Sequence, residues 1–422
     1  MKESKTGKGF FWLAVITVFF SLCLIGLGGL VTSREVGLAV HDWPTSFGYN
    51  MFLLPIDQWL GKYGVFEEHS HRLLAAIVGL LTAGLASWLW FRETTGKPRI
   101  IALIAIIATL CLMGVRTQAM FLGMAVAAVL MIMFSSYKIL KNGGTLRWWA
   151  TMAYSMVIVQ GVLGGLRVTE QNNQIGIIHG TLAQVFLVVL ALIALFSSDW
   201  WQKSRFAVSP DEKAPRVVRA HFLYAAILVL LQLVVGATMR HQHAGLAVWD
   251  FPKAHDQWWP STNANAVARY NQERVELQER LYVDHKVYDA EGRPVMFLHS
   301  FREIQPRHIT LHMAHRLVAL LILGLVLGTA MLARKKLGAG HLLSRVALIW
   351  LGLVLAQVLL GVLTVWKYKP ADIATMHVLF GSLTLITGVL GAVICSNLYL
   401  PSLKIGSKVD ADVKVTQVEA LS

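Results

Sequence analysis

Apolar residues fall in long blocks separated by short polar stretches. Blocks near 10–32, 67–91, 149–168, 175–198, 221–239, 309–333, 343–366 and 373–398 each come near or exceed the roughly 20 residues that cross a bilayer as a helix. The block 100–137 is too long for one span and has Arg116-Thr117-Gln118 at its middle, so it predicts a tight helical hairpin. The fold class expected is therefore all-α, a polytopic membrane protein of about 10 transmembrane helices. Polar segments divide the chain. Residues 1–200 form an N-terminal four-helix repeat with an inserted hairpin at 100–137. A basic, proline-containing connector covers 201–219. Residues 220–400 form a C-terminal four-helix repeat with an outer loop at 240–306, in which a short helix is expected near 266–281. The tail, 401–422, is polar and expected to be poorly ordered.

Composition agrees with this pattern. Of 422 residues, 55% are hydrophobic and only 15% charged, and the mean hydropathy is +0.56. The net charge of +14 suggests nucleic acid only if its location is ignored. Much of it lies in short loops at helix ends, where it sets topology. With the N-terminus inside, the basic segments 92–99, 138–147, 203–219, 334–336 and 404–408 all fall on the cytoplasmic side, as does the C-terminus. The first block follows Lys2, Lys5 and Lys8 but is too long for a signal-peptide core, and Thr32-Ser33-Arg34 is no small-residue cleavage site. It reads as a retained helix. Cys23, Cys111 and Cys395 all lie inside apolar blocks, offer no disulfide framework or CxxC motif, and read as small core residues.

The chain also repeats itself. Gly37-Leu38-Ala39-Val40-His41-Asp42-Trp43-Pro44 recurs as Gly245-Leu246-Ala247-Val248-Trp249-Asp250-Phe251-Pro252, and His71-Arg72-Leu73 as His315-Arg316-Leu317. Gln160-Gly161-Val162-Leu163-Gly164 recurs as Gln357-Val358-Leu359-Leu360-Gly361, and His179 has a counterpart in His377. The order is the same in both halves, so a four-helix unit is duplicated in parallel orientation. The hairpin at 100–137 has no counterpart and reads as an insertion.

Ionisable groups at membrane depth are costly and usually functional. A lone histidine in a membrane helix is often only a hydrogen-bonded core residue, but His71, His179, His315 and His377 all fall near the outer ends of their helices, two per repeat. A six-coordinate haem iron takes one axial ligand from each face, and two helices of one bundle can supply both. We pair His71 with His179 and His315 with His377. Gly164, Gly165, Gly180, Gly361 and Gly381 would allow close helix packing around a planar ligand. Arg72 and Arg316 follow the first histidine of each pair; each reads either as a partner for a haem propionate or as a snorkelling interfacial arginine. Zinc fits less well: His69 and His71 are two apart on a helix, and no HExxH motif or cysteine cluster exists. His241, His243, His255, His285, His299 and His308 read mainly as solvated loop residues, with His241-Gln242-His243 as a lesser candidate for copper or zinc.

The halves differ at one position that matters for chemistry. Glu68 stands three residues before His71, whereas His312 stands three before His315. Residues three apart share a helix face, so Glu68 is expected to point towards the pocket of His71. There a carboxylate can accept protons, stabilise a cation or orient water; it can also be, like Glu67, a carboxylate that complements a helix N-terminus. The asymmetry suggests one site for chemistry and one for electrons.

These residues resemble the haem A synthase family: Glu68-His69-Ser70-His71-Arg72, the stretch 160–165, His179-Gly180, His315-Arg316 and His377, within a duplicated four-helix plan. The resemblance covers most of the chain apart from the hairpin, much of the long loop and the tail. It implies oxidation of the C8 methyl group of haem O to a formyl group by successive hydroxylations, giving haem A for cytochrome oxidase. It implies a haem b cofactor held by His315 and His377 beside Arg316, and a substrate haem held by His71 and His179 beside Arg72. Glu68 matches the catalytic carboxylate. It further implies a multi-pass protein of a bacterial inner membrane, with haem O synthase and cytochrome oxidase assembly factors as candidate partners. The two extra helices and the long loop leave room for a different partner or a homo-oligomer. Some family members carry a cysteine pair in each outer loop; this chain has none there, which excludes any mechanism that uses them. Two other readings compete: a di-haem b-type cytochrome passing electrons from quinol, which leaves Glu68 unused, and a haem or solute transporter with the histidines as a relay.

Overall fold

A computed structural model describes residues 7–113, 118–142, 145–204, 214–284, 287–288, 294–295 and 303–399. The helices are α1 Lys8–Ser33, α2 Val65–Glu93, α3 Lys97–Leu112, α4 Gln118–Asn142, α5 Leu146–Glu170, α6 Asn173–Ser197, α7 Asp199–Ser204, α8 Ala214–His241, α9 Ala264–Asp284, α10 Pro306–Leu337, α11 Leu342–Trp366 and α12 Ala371–Tyr399. Extended pairing among the described residues is limited to two short ladders, Thr45–Ser46 with Tyr49–Asn50 and Val287–Tyr288 with Pro294–Val295, and one isolated bridge, Ala254 with Gln257. The protein is all-α, and among the described residues nine helices are long and apolar enough to cross a membrane. With no water in the hydrocarbon, helices satisfy their own backbone groups, which is why these apolar blocks take this form.

Helices α1, α2, α5 and α6 pack as one bundle, and α8, α10, α11 and α12 as a second. The first is filled by Phe10, Val78, Leu85, Leu89, Ala153, Leu190 and Ile193, the second by Phe222, Val326, Leu343, Ala347 and Trp350, all buried. Trp350 stacks on Phe222 at 5.2 Å, and its indole N–H donates to the Thr384 carbonyl at 2.8 Å, so the polar atom of a fully buried ring is satisfied. The bundles meet through α1, α6, α8 and α12. Small residues let them approach: Leu379 packs on Gly26 and Thr375 on Gly29. The two inserted helices, α3 and α4, lie outside this frame; in place of the expected tight hairpin, α4 packs on α5 and α3 on α2 rather than on each other.

Several expectations change. The expected span over the first arm of the hairpin corresponds to α3, described over 16 residues, about 24 Å of helix, which falls short of the hydrocarbon thickness. Arg116 and Thr117, at its bend, lie outside the described residues, as does the tail. The connector is partly helical: α7 starts at Asp199, and α8 at Ala214, about two turns before its apolar block. Of the cysteines, only Cys395 is a core residue; Cys23 and Cys111 are exposed. In a membrane, lipid rather than packing removes such faces from water, so apolar sequence does not distinguish core from perimeter.

The loop histidines also divide. His255 and His308 are buried, not solvated, while His285 and His299 lie outside the described residues. His255 stacks on Tyr270 of α9 with ring centroids 3.7 Å apart, and its Nε2 donates to the Ala247 carbonyl at 2.9 Å. Around it Ala247, Val248, Ala254, Val267, Ile304, Ile309 and Met313 form a small third core that seats α9 against the N-terminal end of α10. No cluster of three metal-binding side chains occurs among the described residues, so His241 and His243 lack the companions a copper or zinc site needs.

Candidate haem sites

Four helices each bring one histidine inward. His71 is on α2, His179 on α6, His315 on α10 and His377 on α12. Each ring is half-buried and lies against a glycine of a neighbouring helix. A Cβ built on Gly28 would stand 3.0 Å from Cε1 of His71; on Gly164, 3.4 Å from that of His179; on Gly236, 3.4 Å from that of His315; on Gly361, 3.3 Å from that of His377. Gly28 and Gly236 occupy matching places on α1 and α8, and Gly164 and Gly361 on α5 and α11. The sequence reading found the second pair and missed the first, although both of its glycines stand the same distance before their GLAV motifs. Of the other glycines it singled out, Gly165 makes room for the Trp43 ring, Gly381 lies against Gln357 and Leu233, and Gly180 has no such neighbour.

The Nδ1 atom of every one of these four histidines is buried without a hydrogen bond. Those of His179 and His377 turn towards the main chain of Gln160 and Gln357, short of ordinary hydrogen-bond geometry. A carbonyl on that side favours the tautomer that leaves Nε2 free as a metal ligand. Gln160 donates to the His179 carbonyl at 3.1 Å and Gln232 to the His315 carbonyl at 2.8 Å, fixing helix register at the level of the histidines. The rings of His315 and His377 face each other with centroids 6.4 Å apart. Two imidazoles binding one metal from opposite sides, with metal–nitrogen bonds of about 2 Å, stand about 6 Å apart. The residues present therefore fit an axially ligated haem in the second bundle. His71 and His179 lie close enough to sense each other's charge.

Glu68 is buried at the N-terminal end of α2 with both oxygens engaged. Oε2 accepts from the Val40 N–H at 2.9 Å, and Oε1 from Arg72 at 2.8 Å. Arg72 further donates to the carbonyls of Val40, Asp42 and Thr45, at 2.6, 2.6 and 2.9 Å. Arg316 does the same in the second half, donating to the carbonyls of Asp250 and Lys253 at 2.7 and 2.9 Å. The loops they grip are built alike. Asp42 accepts from the N–H groups of Phe47 and Gly48, and Asp250 from those of His255 and Asp256. The Trp43-Pro44 and Phe251-Pro252 bonds are both cis. Burial alone would raise the Asp42 carboxyl, but hydrogen bonds from Thr45, Gly48 and Phe47 hold it below the ordinary carboxylate value. Each arginine thus joins the histidine helix to the outer loop above it.

Glu67 pairs with Arg34 and accepts from the Gly64 N–H at 2.7 Å, closing the start of α2 onto the end of α1. His69 turns away from His71, with Nδ1 3.3 Å from the Ser46 hydroxyl and its ring against Trp59. His312, the counterpart of Glu68, is buried with Nδ1 unpartnered.

Two bundles in one multi-pass chain, each with two inward histidines cradled by glycines, define a membrane protein suited to haem. Comparison with known proteins narrows the class. A model of the cytochrome oxidase assembly protein family matches residues 113–389. The chain is similar to the haem A synthase of Beijerinckia indica, 24% identical over 89% of each chain, and to that of Shewanella oneidensis, 22% identical over 89% of this chain and 93% of the relative. It is 26% identical to the haem A synthase of Shouchella clausii over 62% of this chain and 68% of the relative. The chain belongs to the cytochrome oxidase assembly protein family.

Proposed function

We propose that this protein oxidises the C8 methyl group of haem O to a formyl group in a bacterial inner membrane, with both termini cytoplasmic. The observation that carries the reading is the pair of matched histidine sites with a buried carboxylate in only one of them. In this reading His71 and His179 hold the substrate haem in the first bundle. His315 and His377 hold haem b in the second, and that group would supply electron transfer when bound. Each of two hydroxylations places one oxygen atom of dioxygen on the methyl carbon, the other leaving as water with two protons and two electrons from an external donor, and the geminal diol then loses water to leave the aldehyde.

The chain's own residues position and protect this chemistry. The glycines opposite the histidines let the rings stand upright between helices without displacing backbone. Arg72 and Arg316 hold the loops over the outer ends of the sites and so exclude water. Glu68, at hydrogen-bond distance from Arg72 and Val40, takes or returns protons at its carboxylate as the methyl group is oxidised. The basic segments between α2 and α3, after α4, around α7 and after α10 favour the cytoplasmic side, which supports reading the histidine ends of the helices as facing outward.

Co-expression with a haem O synthase, followed by reverse-phase chromatography of extracted haems with mass detection, tests the reading. Haem A, or a hydroxylated haem O, is the expected product. A second reading, a di-haem electron-transfer cytochrome, is favoured by one observation: both oxygens of Glu68 are already bonded within the protein, as in a purely structural carboxylate. Bound haem B with haem O unaltered would select it.

A further inference from the structure

The repeat exposes a second asymmetry. On α5 and α11 the glycines facing the histidines are Gly164 and Gly361. Three residues further on, one turn outward and on the same face, stand Arg167 and Thr364. The Thr364 hydroxyl donates back to the Leu360 carbonyl of its own helix at 2.7 Å. Arg167 makes no hydrogen bond among the described residues. Its guanidinium rests against Gly37 of the outer loop, where both terminal nitrogens would stand 3.0 Å from an added Cβ. It is close enough to Glu68, His71 and His179 to act on each electrostatically.

The nearby charges leave this cation in excess. Arg240 and His241 lie on the same side, and the one neighbouring carboxylate, Glu68, is bonded to Arg72 and Val40. Arg72 has four N–H groups committed to the protein. Arg167 is therefore the guanidinium at the outer end of the first bundle with its donors open, directly above the His179 cradle.

We infer that Arg167 is a binding residue for the substrate tetrapyrrole, holding a peripheral carboxylate of a haem seated between His71 and His179. The inference rests on reading the first bundle as the substrate site. A guanidinium binds a carboxylate through two parallel hydrogen bonds, which fixes the angle of the bound group as well as its position. Anchoring one edge of the macrocycle limits its rotation about the His71–His179 axis and so selects which edge faces Glu68. The second bundle has Thr364 at this place, and needs no anchor there if its haem is not the reacting group.

The test uses the full-length protein in detergent, depleted of haem and titrated with haem b or with haem b dimethyl ester, whose carboxylates are blocked. The Soret band of low-spin ferric haem reports binding. The share lost in a His71→Ala/His179→Ala variant defines the first-bundle site. There the wild type should prefer the free acid over the diester by about tenfold or more. Arg167→Gln should bind the free acid about tenfold more weakly, bind the diester unchanged and lose the preference, with Arg167→Lys in between. Its second-bundle haem, the share lost in His315→Ala/His377→Ala, should be unaffected. Retention of the preference in Arg167→Gln overturns the inference, as does loss of both haems together. Equal uptake by wild type and His71→Ala/His179→Ala would instead show that the first bundle holds no haem, and the parent reading falls with this one.

Discussion

At the scale of single residues, the site is defined by pairs: a histidine and the glycine that faces it, a carboxylate and the arginine that holds it. Glu68 and Arg72 are both buried, so removing one partner strands the other charge, at a cost of about 3–5 kcal/mol. Glu68→Gln is the informative change: it keeps the shape and an oxygen that accepts from Val40, and although its NH2 then faces Arg72, that guanidinium keeps its three carbonyl acceptors. We expect it to retain both haems, measured as pyridine haemochrome, while extracted haem O stays unconverted; full conversion would remove Glu68 from the mechanism. Gly28→Val should act differently. Its added atoms meet the His71 ring at 3.0 Å or less, so the variant should lose about one haem equivalent and leave the His315–His377 site filled.

At the scale of elements, the outer loops deserve equal weight with the helices. Each is knotted by an aspartate and gripped by an arginine from the histidine helix, and the two knots correspond residue for residue. His255 occupies the place of Phe47, and both have positive φ, so a phenylalanine is tolerated there. Burial pushes the His255 imidazole below its ordinary value of 6.5, with Asp250, Glu273 and the Ala247 carbonyl pulling the other way and Arg269 adding to the fall. A depressed histidine is neutral when folded; its contribution to stability is present above the ordinary value and is lost as pH falls through the lowered one. Protection of α9 against hydrogen exchange should therefore weaken on going from pH 7 to pH 5. His255→Phe should flatten that dependence, and an unchanged slope would show that another group is responsible.

At the scale of the whole molecule, the two bundles are joined by polar ties at the histidine-bearing end as well as by small-residue packing. Arg240 of α8 donates to the Gly29 carbonyl and the Ser33 hydroxyl of α1, and His243 lies 3.0 Å from a Glu35 carboxylate oxygen. Hydrogen bonds from a charged donor contribute about 1.5–3 kcal/mol each. Arg240→Met should accordingly lower the thermal midpoint in detergent by several degrees. It should also alter the His377 site, whose ring feels the Arg240 charge, seen as a shift in the reduction potential of the second-bundle haem. A fall in midpoint with no change in potential would limit Arg240 to a joining role.

Much of this architecture follows from sequence because membranes enforce simple rules. Twenty apolar residues must be helical, so the spans were legible to within a few residues at most ends. The parallel repeat was legible because duplicated motifs kept their order, and it carried the four histidines and Glu68 with it. What sequence did not determine were relations between distant segments. That Gly28 and Gly236 face histidines depends on how α1 and α8 sit beside α2 and α10. That Arg72 and Arg316 grip loop carbonyls, that His255 and His308 are buried, and that Arg167 stands unbonded over His179 depend on where the outer loops return. Apolar periodicity records how a segment meets its solvent; which polar group it meets across the fold is set only when the chain packs.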